Sequence, residues 1–473
     1  MHKNCKMNTK MLLEFSAKNY KSYREGFTLS MIPAPKQKGF EYSILSEKAG
    51  KKKCKALSTS VIYGPNASGK TSIIGALDFF RYLVLQGRIT ATATEEQRTD
   101  INTGNYAIIF PKTIPSMSLK GERPVSFSIK FTENVPEYIR HKQTDNSVKM
   151  LFEYSVSVNY GTFLSDNQTI KIEKEILRIN DEPVFERTEN KLALNSIKQI
   201  ASFLIDINLE SNRALAEKSI LPTELFLANG FKTLFYPELF QIIRKWFEQK
   251  LKTVVSADRM YSRPDFSNMK EKFYRDTFLA AAAKEIGSPN EIIFVEEEKG
   301  KVPEMVSVVK TPDGKTKGVP SEIFESLGTR RFINLMPLLI KALKEGGILI
   351  IDEMDASLHP MVIMEIIKVF HNEEINTKKA QLIFNTHNPI FLNRNILRRD
   401  EIKFVDRNDE TAESELYSLS DFGTSGRNGV RRGSDYMNNY FVNKYGAIKT
   451  VDLSEIFRLC REGSSANAEK INN

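Results

Sequence analysis

Hydrophobic residues follow two different patterns along the chain. Between residues 124 and 180, apolar and polar side chains alternate, as in the run Val125-Ser126-Phe127-Ser128-Ile129. Such alternation predicts the strands of an antiparallel sheet with one buried face. Elsewhere, short runs that are apolar throughout, such as residues 348–351, precede segments whose apolar residues recur at helical spacing. This second pattern is typical of a mostly parallel sheet covered by helices on both faces, so we expect an α/β fold.

The order of the two patterns predicts a core that an insertion divides along the chain. The first part opens with an N-terminal antiparallel β region around a polar turn at residues 19–23, followed by an apolar strand and an amphipathic helix. The expected divisions are residues 1–90 for the first part of the core, 91–315 for the insertion, 316–410 for the second part of the core and 411–473 for a C-terminal tail. Within the insertion we expect a β region at about 124–180, a helical region at about 190–286 and returning strands at about 291–311.

Composition narrows the class of protein without selecting a function. The 473 residues carry 68 Lys plus Arg against 59 Asp plus Glu, a net charge of +9, and 41% are hydrophobic, which is ordinary for a folded chain. No run approaches the ~18 apolar residues of a membrane span, and residues 1–10 lack the apolar core of a secretory signal. Cys5, Cys54 and Cys460 lie too far apart to suggest a disulfide framework. We therefore expect a cytoplasmic protein with no membrane partner.

The strongest local signal is a phosphate-binding loop at residues 64–71. The sequence GPNASGKT fits the pattern G-x-x-x-x-G-K-S/T and lies between an apolar strand and an amphipathic helix, the context that this motif requires. Glycine lets the backbone curl so that consecutive N–H groups, helped by the helix dipole, face phosphate oxygens. Lys70 is expected to bridge the β and γ phosphates of ATP, and Thr71 to ligate Mg²⁺. The predicted nucleotide-binding residues are Asn66, Ala67, Ser68, Gly69, Lys70, Thr71 and Ser72.

An acidic pair follows the apolar strand at residues 348–351. Asp352 at the end of a buried strand can hold the Mg²⁺ shell, and Glu353 is then placed to orient or deprotonate the attacking water. Taken alone, a strand that simply ends in two charges would look the same. The phosphate loop earlier in the chain favours the catalytic interpretation, with Glu353 as a catalytic residue and Thr71 and Asp352 as metal ligands.

Three further segments give the chain a resemblance to a known family. Residues 355–360 read DASLHP and follow the acidic pair, residues 384–389 read FNTHNP and close the next strand, and residues 325–331 read ESLGTRR and begin the preceding helix. Together with the phosphate loop and the acidic pair, their order resembles the ABC-type ATPases, in the branch that contains RecF, SMC-type heads and OLD-family proteins. The opening turn at residues 19–23, NYKSY, is similar to the entrance motif of that branch.

The resemblance implies roles for residues outside the phosphate loop. Ser326 and Gly328 would belong to the signature motif and Asp355 to the D-loop, His387 would be the catalytic switch histidine, and Lys21 would approach the phosphates. The signature helix start would bind the γ-phosphate held by another subunit, so that ATP joins two heads in a dimer or larger homo-oligomer. Taken singly, Ser326 could equally be a helix cap and His387 a structural turn residue. No glutamine stands in a context that identifies the Q-loop of the family.

The remaining segments distinguish members of this branch. The insertion sustains no long heptad repeat, which argues against SMC-like arms. The residues after His387 hold isolated acids but no D-x-D pair of the kind expected in an OLD-type nuclease domain. The chain then resembles the stand-alone ATP-binding proteins of bacterial phage-defence operons. That resemblance implies a sensor or scaffold subunit that controls a separate effector protein encoded nearby.

Two alternatives stay open. One is a RecF-like DNA-repair or recombination ATPase that binds DNA directly, and the other is a nuclease that works alone. The net charge of +9 and the arginines at positions 427, 431 and 432 permit a nucleic-acid partner. A solvated lysine-rich surface and a mobile loop would explain these charges equally well.

Overall fold

We describe the chain from a computed structural model, in residues 10–35, 37, 39–89, 99–102, 106–109, 124–136, 149–159, 170–195, 200, 202–205, 208–255, 260–264, 266, 271–298, 301–424, 429–431, 433–449 and 451–461. The strands are β1 (Leu12–Lys18), β2 (Phe27–Ser30), β3 (Ile44–Ala49), β4 (Lys52–Leu57), β5 (Thr59–Tyr63), β6 (Thr99–Asn102), β7 (Tyr106–Ile109), β8 (Val125–Asn134), β9 (Lys149–Asn159), β10 (Lys171–Ile179), β11 (Glu182–Thr188), β12 (Lys191–Leu194), β13 (Leu251–Val254), β14 (Tyr261–Pro264), β15 (Phe273–Arg275), β16 (Glu291–Val295), β17 (Glu304–Lys310), β18 (Thr316–Pro320), β19 (Ile348–Ile351), β20 (Gln381–Asn385), β21 (Ile402–Arg407) and β22 (Ser414–Ser418). The α-helices are α1 (Lys70–Gln86), α2 (Leu209–Ser219), α3 (Phe226–Asn229), α4 (Pro237–Lys245), α5 (Thr277–Glu285), α6 (Ser321–Phe324), α7 (Leu327–Glu345), α8 (Pro360–His371), α9 (Tyr436–Phe441) and α10 (Ser454–Arg461).

The core sheet has the strand order β13-β19-β20-β5-β21-β22. Its strands pair in parallel, except for the antiparallel pair of β21 and β22. Every residue of β5, β19 and β20 is buried, as expected for strands with helices on both faces. Ile348 and Ile350 share a hydrophobic cluster with α1, whereas Leu349 and Ile351 share another with α7 and α8.

The second large sheet is antiparallel, in the order β12-β11-β10-β9-β8-β1-β2. Buried residues alternate with more exposed ones along most of β8, as the sequence pattern predicts. On the buried face, the rings of Phe80 on α1 and Phe127 stack with centroids 5.4 Å apart, and Trp246 lies 4.1 Å from Phe131. Helix α1 therefore shares one hydrophobic core with both large sheets, and the predicted α/β class is confirmed.

The region at residues 190–286, expected to be helical, contains α2 to α5 but also strands β12 to β15. The most consequential difference is β13, which pairs in parallel with β19 and is thus an edge strand of the core sheet. Its residues Leu251, Thr253 and Val254 are buried, and such apolar and β-branched side chains favour a half-covered strand. The run is only four residues long and directly follows a helical segment, so no local period marks it.

The core also extends beyond residue 410. Strand β22 pairs with β21 at the edge of the core sheet. In the segment that follows, the rings of Tyr440 and Tyr445 lie 5.9 and 5.2 Å from that of Phe404 on β21. Part of the expected tail therefore completes the core, because its aromatic residues cover the outer strands.

A small antiparallel sheet in the order β14-β7-β6 lies in the insertion. A second one, in the order β15-β16-β17-β18, extends past the expected end of the insertion at residue 315, because β18 begins at residue 316. Strands β16 and β17 coincide with the expected returning strands. Among the helices in the described ranges, none combines the length and apolarity that crossing a bilayer requires.

Candidate functional site

The phosphate loop connects the end of β5 to the start of α1. Gly64 and Gly69 have φ values of +157° and +111°, and both are closely approached by neighbours. A Cβ atom on Gly64 would lie 2.4 Å from the carbonyl oxygen of Val405 on β21, and one on Gly69 would lie 2.9 Å from Ser414 Oγ. Positive φ and the absence of space together explain why glycine occupies these two positions.

Side chains from other elements hold the loop by its carbonyl oxygens. Tyr23 Oη donates to Gly69 O at 3.1 Å, Arg407 Nη1 donates to Ala67 O at 3.1 Å, and Ser414 Oγ donates to Ser68 O. These donors come from the N-terminal turn, from β21 and from β22. The curled loop is therefore fixed from outside by three segments that are distant in sequence.

Lys70 is the first residue of α1 and is buried. Its Nζ donates to the carbonyl oxygens of Gly64 and Pro65, both at 2.8 Å, so that it closes the loop on itself. Burial lowers the pKa of Lys70 to about 8, although the carboxylates of Asp352, Glu353 and Asp355 raise it in turn. The preceding residue, Gly69, offers no side-chain cap, and its carbonyl oxygen accepts from the Ser72 N–H at 3.0 Å. The earlier N–H groups of the helix are left for another acceptor.

Thr71 and Asp352 form the predicted metal-binding pair. Thr71 Oγ1 donates to Asp352 Oδ1 at 3.1 Å, and the side-chain amide of Asn385 donates to the same carboxylate oxygen. Burial raises the pKa of Asp352, and these two hydrogen bonds partly offset that effect. Asp352 follows β19, Asn385 ends β20, and the loop follows β5, so three adjacent parallel strands bring these groups to one edge of the sheet.

Glu353 is exposed, and its backbone has a φ of +51°. Its N–H donates to Asn385 Oδ1, and its carbonyl oxygen accepts from Arg331 Nη2 on α7. A left-handed backbone at a non-glycine residue costs about 1 kcal/mol and needs support from its surroundings. The two hydrogen bonds provide that support, and they fix the direction in which the Glu353 side chain leaves the strand.

These residues line one cleft of about 430 Å³. Its described lining is Lys21, Ser22, Asn66, Ala67, Ser68, Gly69, Lys70, Thr71, Ser72, Glu353, His387, Arg407 and Ala412. Burial lowers the pKa of Lys21, and burial followed by the charge of Lys70 lowers the pKa of His387. His387 is therefore neutral at neutral pH and can offer either a donor or an acceptor nitrogen.

The signature residues lie elsewhere. Neither Ser326, Gly328 nor Asp355 is among the described residues that line the cleft. Ser326 is exposed and caps α7, since its Oγ accepts from the Thr329 N–H at 3.0 Å. A Cβ atom on Gly328 would lie 2.3 Å from the carbonyl oxygen of Ser357, so the helix start packs closely on the loop after Glu353.

Several residues of the site were not predicted from the sequence. Asn385 stands inside the FNTHNP segment that closes a strand, so its position could have been noticed in the sequence. No sequence pattern marks Arg331, Arg407 or Ser414 as site residues, because each one contacts the site across a sheet or from another helix. Among the arginines of the basic loop, Arg427 and Arg432 lie outside the described residues.

ATP and Mg²⁺ fit the residues that are present. The Thr71 hydroxyl and the Asp352 carboxylate are the hard oxygen ligands that Mg²⁺ prefers, and they are adjacent. In the loop itself, Ser68 Oγ is buried and has no hydrogen-bond partner in the described ranges, so a bound ligand can satisfy it. A phosphate loop and an acidic strand end, arranged on a parallel sheet in this way, define a P-loop ATPase domain.

Sequence comparison gives the family. The profile of the family described as "AAA domain, putative AbiEii toxin, Type IV TA system" matches residues 60–393, which is more than half of the chain. The chain belongs to this family. A comparison with curated protein sequences finds no match.

Solved structures with some likeness to the chain include heads of SMC proteins. One is an SMC head bound to the C-terminal winged-helix domain of ScpA, with 14% identity, 86% of this chain and 97% of that chain covered, and a TM-score of 0.35. Another is the SMC head domain from Thermotoga maritima, with 12% identity, coverage of 86% and 98%, and a TM-score of 0.34. A third, from Pyrococcus furiosus, has 14% identity, coverage of 86% and 96%, and a TM-score of 0.35.

Proposed function

We propose that this chain binds ATP with Mg²⁺ and hydrolyses it to ADP and phosphate. The observation that carries the proposal is the single cleft in which the phosphate loop, Glu353 and His387 come together beside the pair of Thr71 and Asp352. Each residue type suits its proposed role. The residues come from separate motifs in both halves of the chain.

The groups of the chain act in sequence around the γ-phosphate. The open N–H groups at the start of α1 and the Lys70 ammonium bind the phosphate oxygens, after Lys70 leaves its two loop carbonyls. Thr71 and Asp352 would hold Mg²⁺, which when bound neutralises charge on the phosphates. The Glu353 carboxylate orients a water molecule and accepts its proton, while neutral His387 hydrogen-bonds to the γ-phosphate.

We propose further that hydrolysis requires two copies of the chain. Ser326 and Gly328 do not reach the cleft of their own subunit, and they lie at an exposed helix start. In a head-to-head pair, this start would face the γ-phosphate held by the other copy and supply N–H donors and the Ser326 hydroxyl. ATP occupancy would then control assembly as well as turnover.

The variant Glu353→Gln tests both the proposed hydrolysis and the proposed ATP-dependent association. The amide keeps the size of the side chain but cannot accept a proton, so turnover should fall about 10²–10⁴-fold while ATP binding remains. Sedimentation should show an oligomer that accumulates with ATP. Glu365→Gln, at an exposed position on α8, is the matched control and should behave as the parent chain. Unchanged turnover in Glu353→Gln would remove Glu353 from the mechanism.

We also propose that the ATPase controls a separate effector in a bacterial antiphage defence system. The support is the resemblance to stand-alone defence ATPases and the family description, which names a putative toxin and a Type IV TA system. The proposal predicts stable co-purification with the product of an adjacent gene. The alternative, a RecF-like protein, predicts ATP-dependent, salt-sensitive DNA binding without such a partner.

A further inference from the structure

A second cavity, of about 650 Å³, lies beside the signature helix α7. One wall is formed by α7, which contributes Leu327, Arg330, Arg331 and Asn334. The steps of three or four residues, from 327 to 330 and 331 and from these to 334, place them on one side of the helix. Strands β14 and β17 supply much of the remaining wall. Its size is typical of sites for small ligands.

Three guanidinium groups and two carboxylates line this cavity, which gives it an excess of positive charge. The carboxylates are turned towards solvent. Glu322 has a side chain that is 81% exposed and pairs with Arg330 at 3.2 Å, and Glu304 is also exposed. The guanidinium groups are therefore less exposed to solvent than the two carboxylates of the cavity.

Arg263 lies on β14 and contacts the signature helix through Asn334. It donates Nη1 to Ser262 O at 2.8 Å and to Asn334 Oδ1 at 3.1 Å, and its guanidinium lies over the rings of Tyr261 and Phe294. No carboxylate in the described part of the chain forms an ion pair with it. Burial lowers the pKa of Arg263, which reflects a charge removed from water.

Two nitrogens in this group have no acceptor among the residues that the structure describes. They are Arg263 Nε and Arg330 Nε, and both are buried. Buried N–H groups are nearly always satisfied in folded proteins, so donors left open on two facing elements indicate a missing acceptor. A phosphate group offers three oxygens and can accept from two guanidinium groups at once. The remaining walls include Met260, Met305 and Leu327, which suit the apolar body of a ligand.

We propose that this cavity binds a phosphate ester of about mononucleotide size, with its phosphate on Arg263 and Arg330 and its base and sugar against the apolar walls. The site is distinct from the phosphate loop. It is expected whether or not the chain hydrolyses ATP, so the two proposals stand or fall separately.

The test is isothermal titration of AMP, inorganic phosphate and adenosine into the full-length chain carrying Lys70→Ala, which weakens nucleotide binding at the phosphate loop. AMP should bind with one site per chain and at least tenfold more tightly than either fragment, because both parts of the cavity contribute. Arg330→Gln in this background should weaken AMP binding at least tenfold. The matched control is Arg275→Gln, which removes an exposed, ion-paired arginine on β15 and should leave AMP binding unchanged.

Arg263→Lys separates binding from folding. Lysine keeps the charge and most of the stem but loses the fork and its Nε donor, so AMP affinity should fall, and a cooperative melting transition checks that the variant still folds. Absence of AMP binding, equal affinity for AMP and phosphate, or an unchanged affinity in Arg330→Gln would overturn the proposal. Binding that appears only at protein concentrations where the chain dimerises would also overturn it, because the cavity would then belong to the subunit interface.

Discussion

The N-terminal ends of helices α1 and α7 are both proposed to bind phosphate oxygens, but their structures differ. Helix α1 begins after Gly69, which has no side chain to cap the first N–H groups. Helix α7 begins after Ser326, whose hydroxyl accepts from the Thr329 N–H at 3.0 Å. The first start lies in a cleft and is held by donors from three other segments, whereas Ser326 is exposed and the adjacent Leu327 is 58% exposed.

The difference shows what each start can do in an isolated chain. The start of α1 lines its own cleft and carries no side-chain cap, so its N–H groups can take an anion there. At the start of α7 the cap is a side chain, so the Ser326 hydroxyl must reorient before it can contact a phosphate. We therefore expect α1 to bind ATP in a monomer and α7 to act only when a second copy approaches.

The largest effect in this comparison is expected from a substitution at the start of α1. Lys70→Ala removes a charge-assisted contact worth about 1.5–3 kcal/mol, so ATP should bind roughly 10- to 150-fold more weakly in a titration. Lys368→Ala, at an exposed position on α8, removes a surface charge of the same sign and should leave the affinity unchanged. Equal affinities for both variants would mean that Lys70 does not contact the nucleotide.

A smaller effect is expected from a substitution at the start of α7. In Gly328→Ala the new methyl group collides with the carbonyl oxygen of Ser357, which should cost about 1–3 kcal/mol of folding free energy and displace the start of α7. ATP should still bind to the monomer, but ATP-dependent association should be lost. Gly75→Ala inside α1 is the control, since its Cβ would lie 3.6 Å from Tyr20 Oη in ordinary contact. A loss of monomer ATP binding in Gly328→Ala would show that the two starts are not independent.

The smallest effect sharpens the comparison by separating two roles of Ser326. Ser326→Ala should lower the folding free energy by about 1 kcal/mol through loss of the cap, whereas Ser326→Asp should keep the cap. Both variants should lose ATP-dependent association, because alanine lacks the hydroxyl and aspartate repels the partner's phosphate. Melting curves and sedimentation with ATP measure the two roles. Full association of Ser326→Asp would show that Ser326 is a helix cap and nothing more.

Features of this molecule that reside in contiguous residues could be predicted from the sequence. The phosphate loop, the acidic strand end and the alternating strands each carry a local pattern, and the structure has a loop, a buried strand and a sheet at those positions. The roles of Lys21, Glu353, His387 and Ser326 stay predictions, although Lys21, Glu353 and His387 do meet in one cleft.

The rest depends on contacts between residues that are far apart in sequence. Ser414 binds the phosphate loop across 346 positions, and no local pattern announces such a pairing. Strand β13 was missed for the same reason, since its four residues become a strand only beside β19. Arg331 could be placed on a helix from the sequence, but its bond to the backbone of Glu353 depends on how that helix packs.

The position of β5 in the core sheet has a consequence for the synthesis of the chain. Strand β5 lies between β20 and β21, which follow it by more than 300 residues. At roughly 5–20 residues per second, a ribosome needs about 15–60 s or more to make that interval. Throughout this time β5 lacks both of its neighbours in the sheet. We therefore expect the nascent chain to be prone to misfolding and aggregation during this interval. Because Ser414 also holds the phosphate loop, we expect the ATP site to form only after translation has passed residue 414, which makes it among the last parts of the protein to mature.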